Sequence, residues 1–220
     1  MSVTIDWQQI DDVMFDMDGT LLDLHFDNHF WLEYVPKKYA EHHEVKLTEA
    51  KRLLEERYKA IESTLDWYCV DHWSRELGFD IALLKEEVDH LIAVHPFVVE
   101  FLEKVKAMGK RTILVTNAHQ KSLALKMKKT RLDHHFDEII TAHQFGHAKE
   151  SQDFWHKLHA FLPFDPCRTL FIDDSEKVLA SARQYGICHI LGILNPDSKA
   201  GQKQLDGYDA VTGFREIMPK

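Results

Sequence analysis

Five short apolar runs, each followed by polar or turn residues, constrain the fold of this chain more than any other feature. They occupy residues 13–15, 112–116, 138–141, 169–172 and 189–192. Runs that are apolar throughout, rather than at every second position, are typical of strands covered on both faces. The sequence therefore predicts a sheet that is buried between two layers.

Stretches with helical periodicity lie between the later runs. The apolar positions of residues 97–108 fall on one helix face: Phe97, Phe101, Leu102 and Val105. Residues 175–185 repeat this pattern and end at Gly186, where a helix C-cap is expected. Alternating strands and helices predict parallel β-α units, and therefore a doubly wound α/β fold. Ligands of such folds bind at the carboxyl ends of the strands.

Residues 27–93 interrupt the alternation. They hold one glycine, Gly78, and one proline, Pro36, and they carry helical spacing without any β-rich run. This segment is predicted to be a helical insert that follows the first strand and covers the ligand end of the sheet. The predicted division assigns residues 1–26 and 94–220 to an α/β core and residues 27–93 to a helical cap.

Two aspartates follow the first apolar run directly. Asp16 and Asp18 lead into Gly19 and Thr20, so each carboxylate can be aimed separately where the strand ends. An aspartate can attack phosphorus and form an acyl-phosphate, and a second carboxyl can move the protons. The alternative for such a pair is an exposed acidic turn, which the preceding buried run disfavours.

The second run ends in Thr116 and Asn117, and Lys149 follows the third. A hydroxyl group and a lysine can both hold a phosphoryl oxygen. Taken singly, each has a simpler interpretation: Thr-Asn after a strand is often a helix N-cap, and a lone lysine before a helix is usually a surface group.

The fourth run ends in Asp173 and Asp174. Adjacent acids that close an apolar strand are unfavourable unless a cation or strong donors compensate them. Mg²⁺ suits one or two carboxylates together with water and a substrate phosphate. The alternative is a helix N-terminus lined with acids, because Ser175 and Glu176 begin the next helix.

Composition limits the partners. The net charge of −9 argues against nucleic acid or an anionic membrane, because binding to such surfaces relies on clustered lysine and arginine. The three cysteines show no metal-ligand spacing, and the fifteen histidines are scattered and interpreted as solvated surface groups. No signal sequence or membrane-length apolar stretch is evident, which predicts a cytoplasmic protein with a small-molecule partner and no obligate protein partner.

The four polar clusters, in this order, resemble the signature of the haloacid dehalogenase-like hydrolase superfamily. The resemblance covers residues 13–192 and includes the run Asp-Met-Asp-Gly-Thr-Leu-Leu-Asp from residue 16. It implies a Rossmann-like core and a phosphatase that forms a phosphoaspartyl intermediate. It also implies Mg²⁺ as the cofactor, with Mn²⁺ or another divalent cation as a substitute in vitro.

The resemblance also implies residue roles. Asp16 would be the nucleophile and a metal ligand, and Asp18 the acid/base, with its backbone carbonyl on the metal. The other implied roles are phosphoryl binding by Thr116 and Lys149, substrate contact by Asn117, Gly19 and Thr20, and metal binding by Asp174 and Asp173. The chain departs from the family where many relatives carry a further acid, because Lys177 and Val178 stand there, and Asp173 is expected to substitute.

The insert resembles the helical cap of the superfamily's first subclass, which implies a small-molecule substrate. Trp67, Tyr68 and Trp73 can either stack on a planar base or pack the cap interior, and packing is the preferred interpretation for the two tryptophans.

At finer resolution the chain resembles the purine nucleotidases of this superfamily that act on GMP and IMP. The resemblance rests on residues 22–28, 30–31, 67–69, 73–74, 116–119, 145–146, 149–150, 171–176 and 195–198. A broad-specificity phosphatase acting on FMN or sugar phosphates, a phosphomutase and a non-catalytic binding protein remain as alternatives. A dehalogenase is disfavoured by Asp18, since that branch lacks the second acid.

Overall fold

A computed structural model describes residues 3–219 of the chain and shows a six-stranded sheet whose strands all pair in parallel. The strands are β1 (Asp12–Phe15), β2 (Arg111–Thr116), β3 (Glu138–Thr141), β4 (Thr169–Asp173), β5 (His189–Ile193) and β6 (Asp209–Val211). Each apolar run forms a strand, and the predicted α/β fold class is confirmed. The sixth strand was not predicted, because three residues are too few to carry a pattern.

The strand order is β3-β2-β1-β4-β5-β6, with β1 in the interior of the sheet. Val13 and Phe15 belong to the apolar cluster on one face, and Met14 belongs to the cluster on the other. All three side chains are fully buried, which explains why the β1 sequence is apolar at every position.

Nine α-helices flank or cap the sheet within the described residues. Four of them follow the strand pattern: α6 (Val98–Ala107), α7 (Gln120–Thr130), α8 (Gln152–Phe161) and α9 (Glu176–Tyr185). The other five lie between β1 and α6: α1 (His25–His29), α2 (Val35–His43), α3 (Leu47–Ile61), α4 (Val70–Leu77) and α5 (Ile81–Glu87). None of the helices in residues 3–219 combines the length and apolar character needed to cross a membrane.

The predicted core stripe of α6 is wrong at its first position. Phe101, Leu102 and Val105 are fully buried, but Phe97 is 43% exposed. Phe97 precedes the helix as its N-cap with a left-handed backbone, at a φ of 66°. Because the residue is outside the helix, its side chain does not follow the helical register that the spacing assumed.

The segment between β1 and β2 has an aromatic interior. Trp73 is 1% exposed, and its ring lies 5.0 to 6.1 Å from those of Tyr58, Trp31 and Trp67. Its indole N–H donates to the carbonyl of Trp67 at 2.9 Å. Trp73 therefore packs the helical insert, in agreement with the packing interpretation. The exact division of the chain into core and cap stays a prediction.

The topology places one crevice at the carboxyl end of the sheet. From β1 the chain builds β2 and β3 on one side, and β4, β5 and β6 on the other. Neighbouring strands that lead in opposite directions leave a switch point between β1 and β4, where α/β proteins bind ligands.

Candidate active site

Asp16 lies at this switch point, directly after β1. Its backbone N–H donates to the carbonyl of Ile172 in β4 at 2.9 Å, which extends the sheet by one residue and fixes the aspartate against the neighbouring strand. Asp16 is 7% exposed. A carboxylate is therefore held at the bottom of the crevice with little contact to solvent.

Lys149 contacts both Asp16, which follows β1, and Asp173, which ends β4. Its ammonium group donates to Asp16 Oδ1 at 2.5 Å, to Asp173 Oδ2 at 2.7 Å and to the Val115 carbonyl at 3.0 Å. Lys149 is 1% exposed, so the surface interpretation of this lysine does not hold. Burial opposes its charge, but the two carboxylates outweigh burial and raise the pKa of Lys149, which keeps the ammonium cationic.

Asp173 and Asp174 make different contacts although they are adjacent. Both oxygens of Asp173 already have donors: the Ser175 N–H at 2.7 Å and the Lys149 ammonium at 2.7 Å. Asp174 is bonded through Oδ2 to Lys203 at 2.8 Å. Lys203 also donates to the backbone carbonyl of Asp174. Asp174 Oδ1 therefore remains available to a ligand.

Gly19 allows Asp174 to approach the first loop. A Cβ atom on Gly19 would lie 2.8 Å from Asp174 Cγ and 2.9 Å from its Oδ2. The backbone of Gly19 also has a φ of 86°, a left-handed conformation that side chains disfavour. Both constraints require glycine at this position.

The carboxylates of Asp16, Asp173 and Asp174 fit a hard divalent cation. Each of the three residues places an oxygen within 4.8 Å of the others. Burial, opposed by Lys149 and reinforced by the other acids, raises the pKa of Asp16, and burial together with Asp173 raises the pKa of Asp174 to about 6. Three carboxylates face only two ammonium groups here, those of Lys149 and Lys203, so the cluster carries an excess of negative charge when all three acids are ionised. Clustered oxygen donors with excess negative charge are the ligands that Mg²⁺ prefers.

Asp18 belongs to a network of buried ion pairs in which acidic and basic side chains alternate. Lys126 in α7 donates to Asp18 Oδ1 at 2.6 Å and to Asp27 Oδ2 at 2.6 Å, and Lys85 in α5 donates to Asp27 Oδ1 at 2.8 Å. Burial raises the pKa of Asp18 despite the neighbouring Lys126. Burial acts on Asp27 too, but the two lysines outweigh it and lower its pKa to about 2. Of the two carboxylates in this network, Asp18 is therefore the one that more readily carries a proton.

The sequence did not indicate Lys126, Lys85 or Lys203 as site residues. Lys126 is followed by Lys128 and Lys129 on an amphipathic helix, a pattern that is typical of a solvated face. In the structure Lys126 is 1% exposed and Lys128 is exposed. The local sequence carries no signal that separates them, because the partners of Lys126 come from residues about a hundred positions away.

Thr116 and Asn117 lie at the end of β2 and are both buried. Thr116 Oγ1 accepts from the Ala118 N–H at 3.0 Å. Asn117 accepts from the Lys149 N–H at 2.8 Å and donates to Glu150 Oε2 at 3.0 Å. Asn117 is not the N-cap of the following helix, since α7 begins one residue after His119. Its side chain instead orients the segment that carries Lys149.

Glu150 connects this segment to the helical insert. Its Oε1 accepts from the hydroxyl group of Tyr68 at 2.7 Å. Glu150 therefore accepts two hydrogen bonds, one from Tyr68 in the insert and one from Asn117 at the end of β2. We call this pair of hydrogen bonds the Tyr68–Glu150–Asn117 bridge.

Thr20 does not line the cavity that contains Asp16 and Lys149. Its side chain is fully buried, and its Oγ1 has no hydrogen-bond partner within residues 3–219. It borders a separate hollow near Phe97 and Phe214. The structure therefore does not place Thr20 where it was expected to contact the substrate.

A cavity of about 300 Å³ opens above the acidic cluster. Its floor includes Asp16, Asp18, Thr116, Lys149 and Asp174, and its roof includes Leu24, Asn28, Trp31, Leu32, Trp67, Tyr68 and Lys85. Trp67 and Tyr68 thus face the cavity, in contrast to Trp73. This size is at the lower end of small-molecule sites.

The family model for haloacid dehalogenase-like hydrolases matches residues 10–186, which run from just before β1 to just after α9. The chain belongs to the haloacid dehalogenase-like hydrolases. The match confirms the superfamily that the order of the four clusters predicted, and with it the expectation that the protein is a hydrolase.

Whole-length relatives of this hydrolase family are also found. The GMP/IMP nucleotidase YrfG of Escherichia coli (strain K12) is 42% identical over 219 residues, covering 100% of this chain and 99% of the relative. This similarity confirms the predicted resemblance to that group. Among solved structures, a HAD phosphatase from Thermococcus onnurineus has a TM-score of 0.79 at 21% identity, over 94% of this chain and 95% of that one. A putative beta-phosphoglucomutase from Thermotoga maritima has a TM-score of 0.69 at 22% identity, over 95% and 97%. These structures support the fold.

Proposed function

We propose that this protein is a magnesium-dependent phosphatase that hydrolyses small phosphomonoesters through a phosphoaspartyl intermediate on Asp16, and that its substrates are the purine nucleotides GMP and IMP. The observation that carries the proposal is the contact of one buried lysine, Lys149, with both Asp16 and Asp173 at the switch point of the sheet. The arrangement combines a nucleophile, a fixed positive charge and an acidic metal site in one crevice.

In the first step an oxygen of Asp16 attacks the phosphorus, and the bond from phosphorus to the ester oxygen breaks. Lys149 holds Oδ1 of Asp16 and so leaves the other oxygen for attack. The charge that develops on the phosphoryl oxygens is met by the Lys149 ammonium and the Thr116 hydroxyl. Both groups are fixed by other contacts before substrate arrives, which lowers the reorganisation needed in the transition state.

Asp18 moves the protons. As an acid it donates to the leaving ester oxygen, and as a base it then accepts a proton from the water that attacks the phosphoaspartate. Inorganic phosphate leaves, and the Asp16 carboxylate is restored. The buried setting of Asp18 supports the acid form, because burial raises its pKa, whereas Lys126 limits that rise and keeps the base form accessible.

Asp16, Asp174 and the backbone carbonyl of Asp18 would hold Mg²⁺, with Mn²⁺ as a substitute in vitro. The cation would supply positive charge for the phosphoryl group and for the acids around it. Asp173 is the better candidate for positioning Lys149, since both of its oxygens already accept from Ser175 and Lys149.

Purine nucleotides are the proposed substrates for two reasons. The similarity to the GMP/IMP nucleotidase YrfG extends over the whole chain, including the helical insert. The roof of the cavity also presents Trp31, Trp67 and Tyr68, and aromatic faces suit a planar base. A broad-specificity phosphatase that accepts FMN or sugar phosphates is the second candidate, because the same floor would serve any phosphomonoester.

The test is a measurement of phosphate release over a panel of nucleotides, FMN and sugar phosphates, with and without Mg²⁺. We expect kcat/KM to be highest for GMP and IMP, and EDTA to remove the activity until Mg²⁺ is added back. A flat profile would favour the broad-specificity alternative. Full activity in EDTA would contradict the metal site.

A further inference from the structure

A second cluster of metal-binding side chains lies beside the active site, at the contact between the helical insert and the sheet. Cys69, His119 and His143 each place one ligand atom, a sulfur or a ring nitrogen, within 4.8 Å of the other two. No sequence pattern indicated this cluster, because the three residues are separated by 50 and 24 positions and match no metal-binding spacing. The proposed hydrolysis uses none of them.

Each ligand residue comes from a different element. Cys69 is the N-cap of α4 in the helical insert. His119 is the N-cap of α7, and His143 lies in the short turn Ala142–Gln144 that follows β3. The insert thus provides the sulfur, and the elements beside the sheet provide the two imidazoles.

The ligand atoms of these side chains accept few hydrogen bonds from the rest of the protein. His143 Nε2 is buried and has no hydrogen-bond partner within residues 3–219, which is unusual for a buried polar atom. His119 Nδ1 accepts from the Lys121 N–H at 3.4 Å, which fixes the ring and leaves Nε2 for a ligand. Cys69 Sγ accepts a single hydrogen bond, from the His72 N–H at 3.3 Å, which leaves its remaining lone pairs for a ligand.

Asp71 lies next to the cluster on the His119 side and can supply a fourth ligand by rotating its side chain. Its Oδ2 lies 3.7 Å from His119 Nε2, while its Oδ1 is bonded to Lys121 at 2.7 Å. One sulfur, two imidazole nitrogens and one carboxylate oxygen are a donor set that zinc accepts in tetrahedral geometry. Ligand atoms around tetrahedral zinc lie about 3.3–3.6 Å apart, so small side-chain rotations would bring the sulfur and the two ring nitrogens into place. The Asp71 carboxylate would have to turn further towards them.

We propose that Cys69, His119, His143 and Asp71 form a binding site for Zn²⁺ or a cation of similar softness, separate from the oxygen-lined magnesium site. Binding releases the thiol proton of Cys69 to solvent and leaves the cation held by one sulfur, two nitrogens and one oxygen. Because Cys69 and Asp71 belong to the insert and the histidines do not, an occupied site ties the insert down over the cavity. Occupancy therefore raises thermal stability and slows turnover, since ligands must enter and leave past the insert.

The experiment uses the full chain with Cys167→Ser and Cys188→Ser, which leaves Cys69 as the only thiol. Both replaced cysteines precede strands β4 and β5, at the opposite end of the sheet from the site. The protein, saturated with Mg²⁺, is titrated with Co²⁺ and followed by absorbance. We expect one equivalent to produce the sulfur-to-cobalt charge-transfer band and the intense visible absorption of tetrahedral cobalt. One equivalent of Zn²⁺ should then abolish both.

Variants locate the bound metal. Cys69→Ser should remove the charge-transfer band, and His143→Ala should weaken Co²⁺ binding at least tenfold. The matched control His90→Ala, at an exposed histidine of the insert, should change neither. Circular dichroism establishes that each variant is folded, and His143→Gln replaces His143→Ala if the latter is not. No charge-transfer band at one equivalent, or a band that persists in Cys69→Ser, would overturn the proposal.

The stability readout separates this site from the active site. One equivalent of Zn²⁺ should raise the Tm of the Mg²⁺-saturated protein, and Cys69→Ser should abolish that rise. Asp16→Asn should keep it, because the proposed hydrolysis and the zinc site share no residue. A rise that survives in Cys69→Ser would place the metal elsewhere and contradict the site.

Discussion

The proton-transfer role proposed for Asp18 depends on a lysine that lies outside the sequence motif. Lys126 contacts Asp18 and Asp27 and is itself buried, so its charge acts on both acids at low effective dielectric. Burial raises the pKa of Asp18, and Lys126 lowers it. The balance between the two sets the pH at which Asp18 changes from acid to base.

Replacing Lys126 with methionine should raise the pKa of Asp18. Without the cation the pKa of Asp18 rises, and the base form that hydrolyses the phosphoaspartate is populated only at higher pH. We expect the acidic limb of the kcat–pH profile to move upward by about 1–3 pH units. The matched control Lys128→Met, at an exposed position of the same helix, should leave the limb in place. An unchanged or downward-shifted limb for Lys126→Met would show that Lys126 does not tune the acid/base.

Gly19 is a second residue whose role can be isolated. Gly19→Ala would place a Cβ atom 2.8 Å from Asp174 Cγ and displace the proposed metal ligand. We expect the Mg²⁺ concentration for half-maximal activity to rise by at least about tenfold, equivalent to about 1.4 kcal/mol of binding free energy.

Gly109→Ala is the matched control for backbone strain. Gly109 also has a left-handed backbone, with a φ of 72°, but a Cβ atom added there would meet nothing within 4 Å. Its substitution should lower the free energy of unfolding by about 1–2 kcal/mol, the cost of a side chain on a left-handed backbone, without changing the Mg²⁺ requirement. If both variants need the same Mg²⁺ concentration as the parent, the close approach of Gly19 to Asp174 has no part in metal binding.

At the scale of elements, sequence patterns predicted what is local. The apolar runs predicted β1 to β5, since a strand covered on both faces is apolar throughout, and the acids that end β1 and β4 follow from the same pattern. Lys126, Lys203 and Lys85 could not be predicted, because each is ordinary in its local sequence and acquires its role only from distant partners. Phe97 was misplaced because its left-handed backbone, invisible to residue spacing, puts it outside α6.

The Tyr68–Glu150–Asn117 bridge joins the helical insert to the segment that carries Lys149. Tyr68→Phe should remove the hydrogen bond from the insert to Glu150 and so weaken the contact that holds the insert over the cavity. A hydrogen bond of this kind contributes about 0.5–1.5 kcal/mol, so KM for GMP should rise about 2- to 13-fold with a smaller change in kcat.

Tyr34→Phe provides the comparison, because the hydroxyl group of Tyr34 bonds to Glu87 within the insert itself. It should leave both kinetic constants near those of the parent. Equal effects of the two substitutions would mean that the bridge has no specific role in closing the cavity.

At the scale of the whole molecule, the charge distribution explains how an acidic protein can bind an anion. The chain has a net charge of −9, yet Lys149, Lys126, Lys85 and Lys203 all lie at or beside the acidic crevice. The buried lysines provide local positive charge where phosphate is proposed to bind. The acids paired with Lys149 and Lys203 belong to the proposed metal site, and those paired with Lys126 and Lys85 do not contribute side-chain ligands to it. The fold brings these groups together from the ends of β1 and β4, from α5 and α7, and from the segments that precede α8 and β6.

The central claim is that hydrolysis passes through a covalent phosphoryl group on Asp16. The most direct test mixes Mg²⁺-loaded protein with GMP labelled at the phosphate, quenches the reaction with acid within a turnover and locates the label by peptide mass spectrometry. We expect a phosphoryl group on the peptide that contains Asp16, none in Asp16→Asn, and kcat in that variant lower by at least about a thousandfold. The matched control Asp206→Asn, at an exposed aspartate, should behave as the parent. Label on another residue, or normal turnover in Asp16→Asn, would contradict the mechanism.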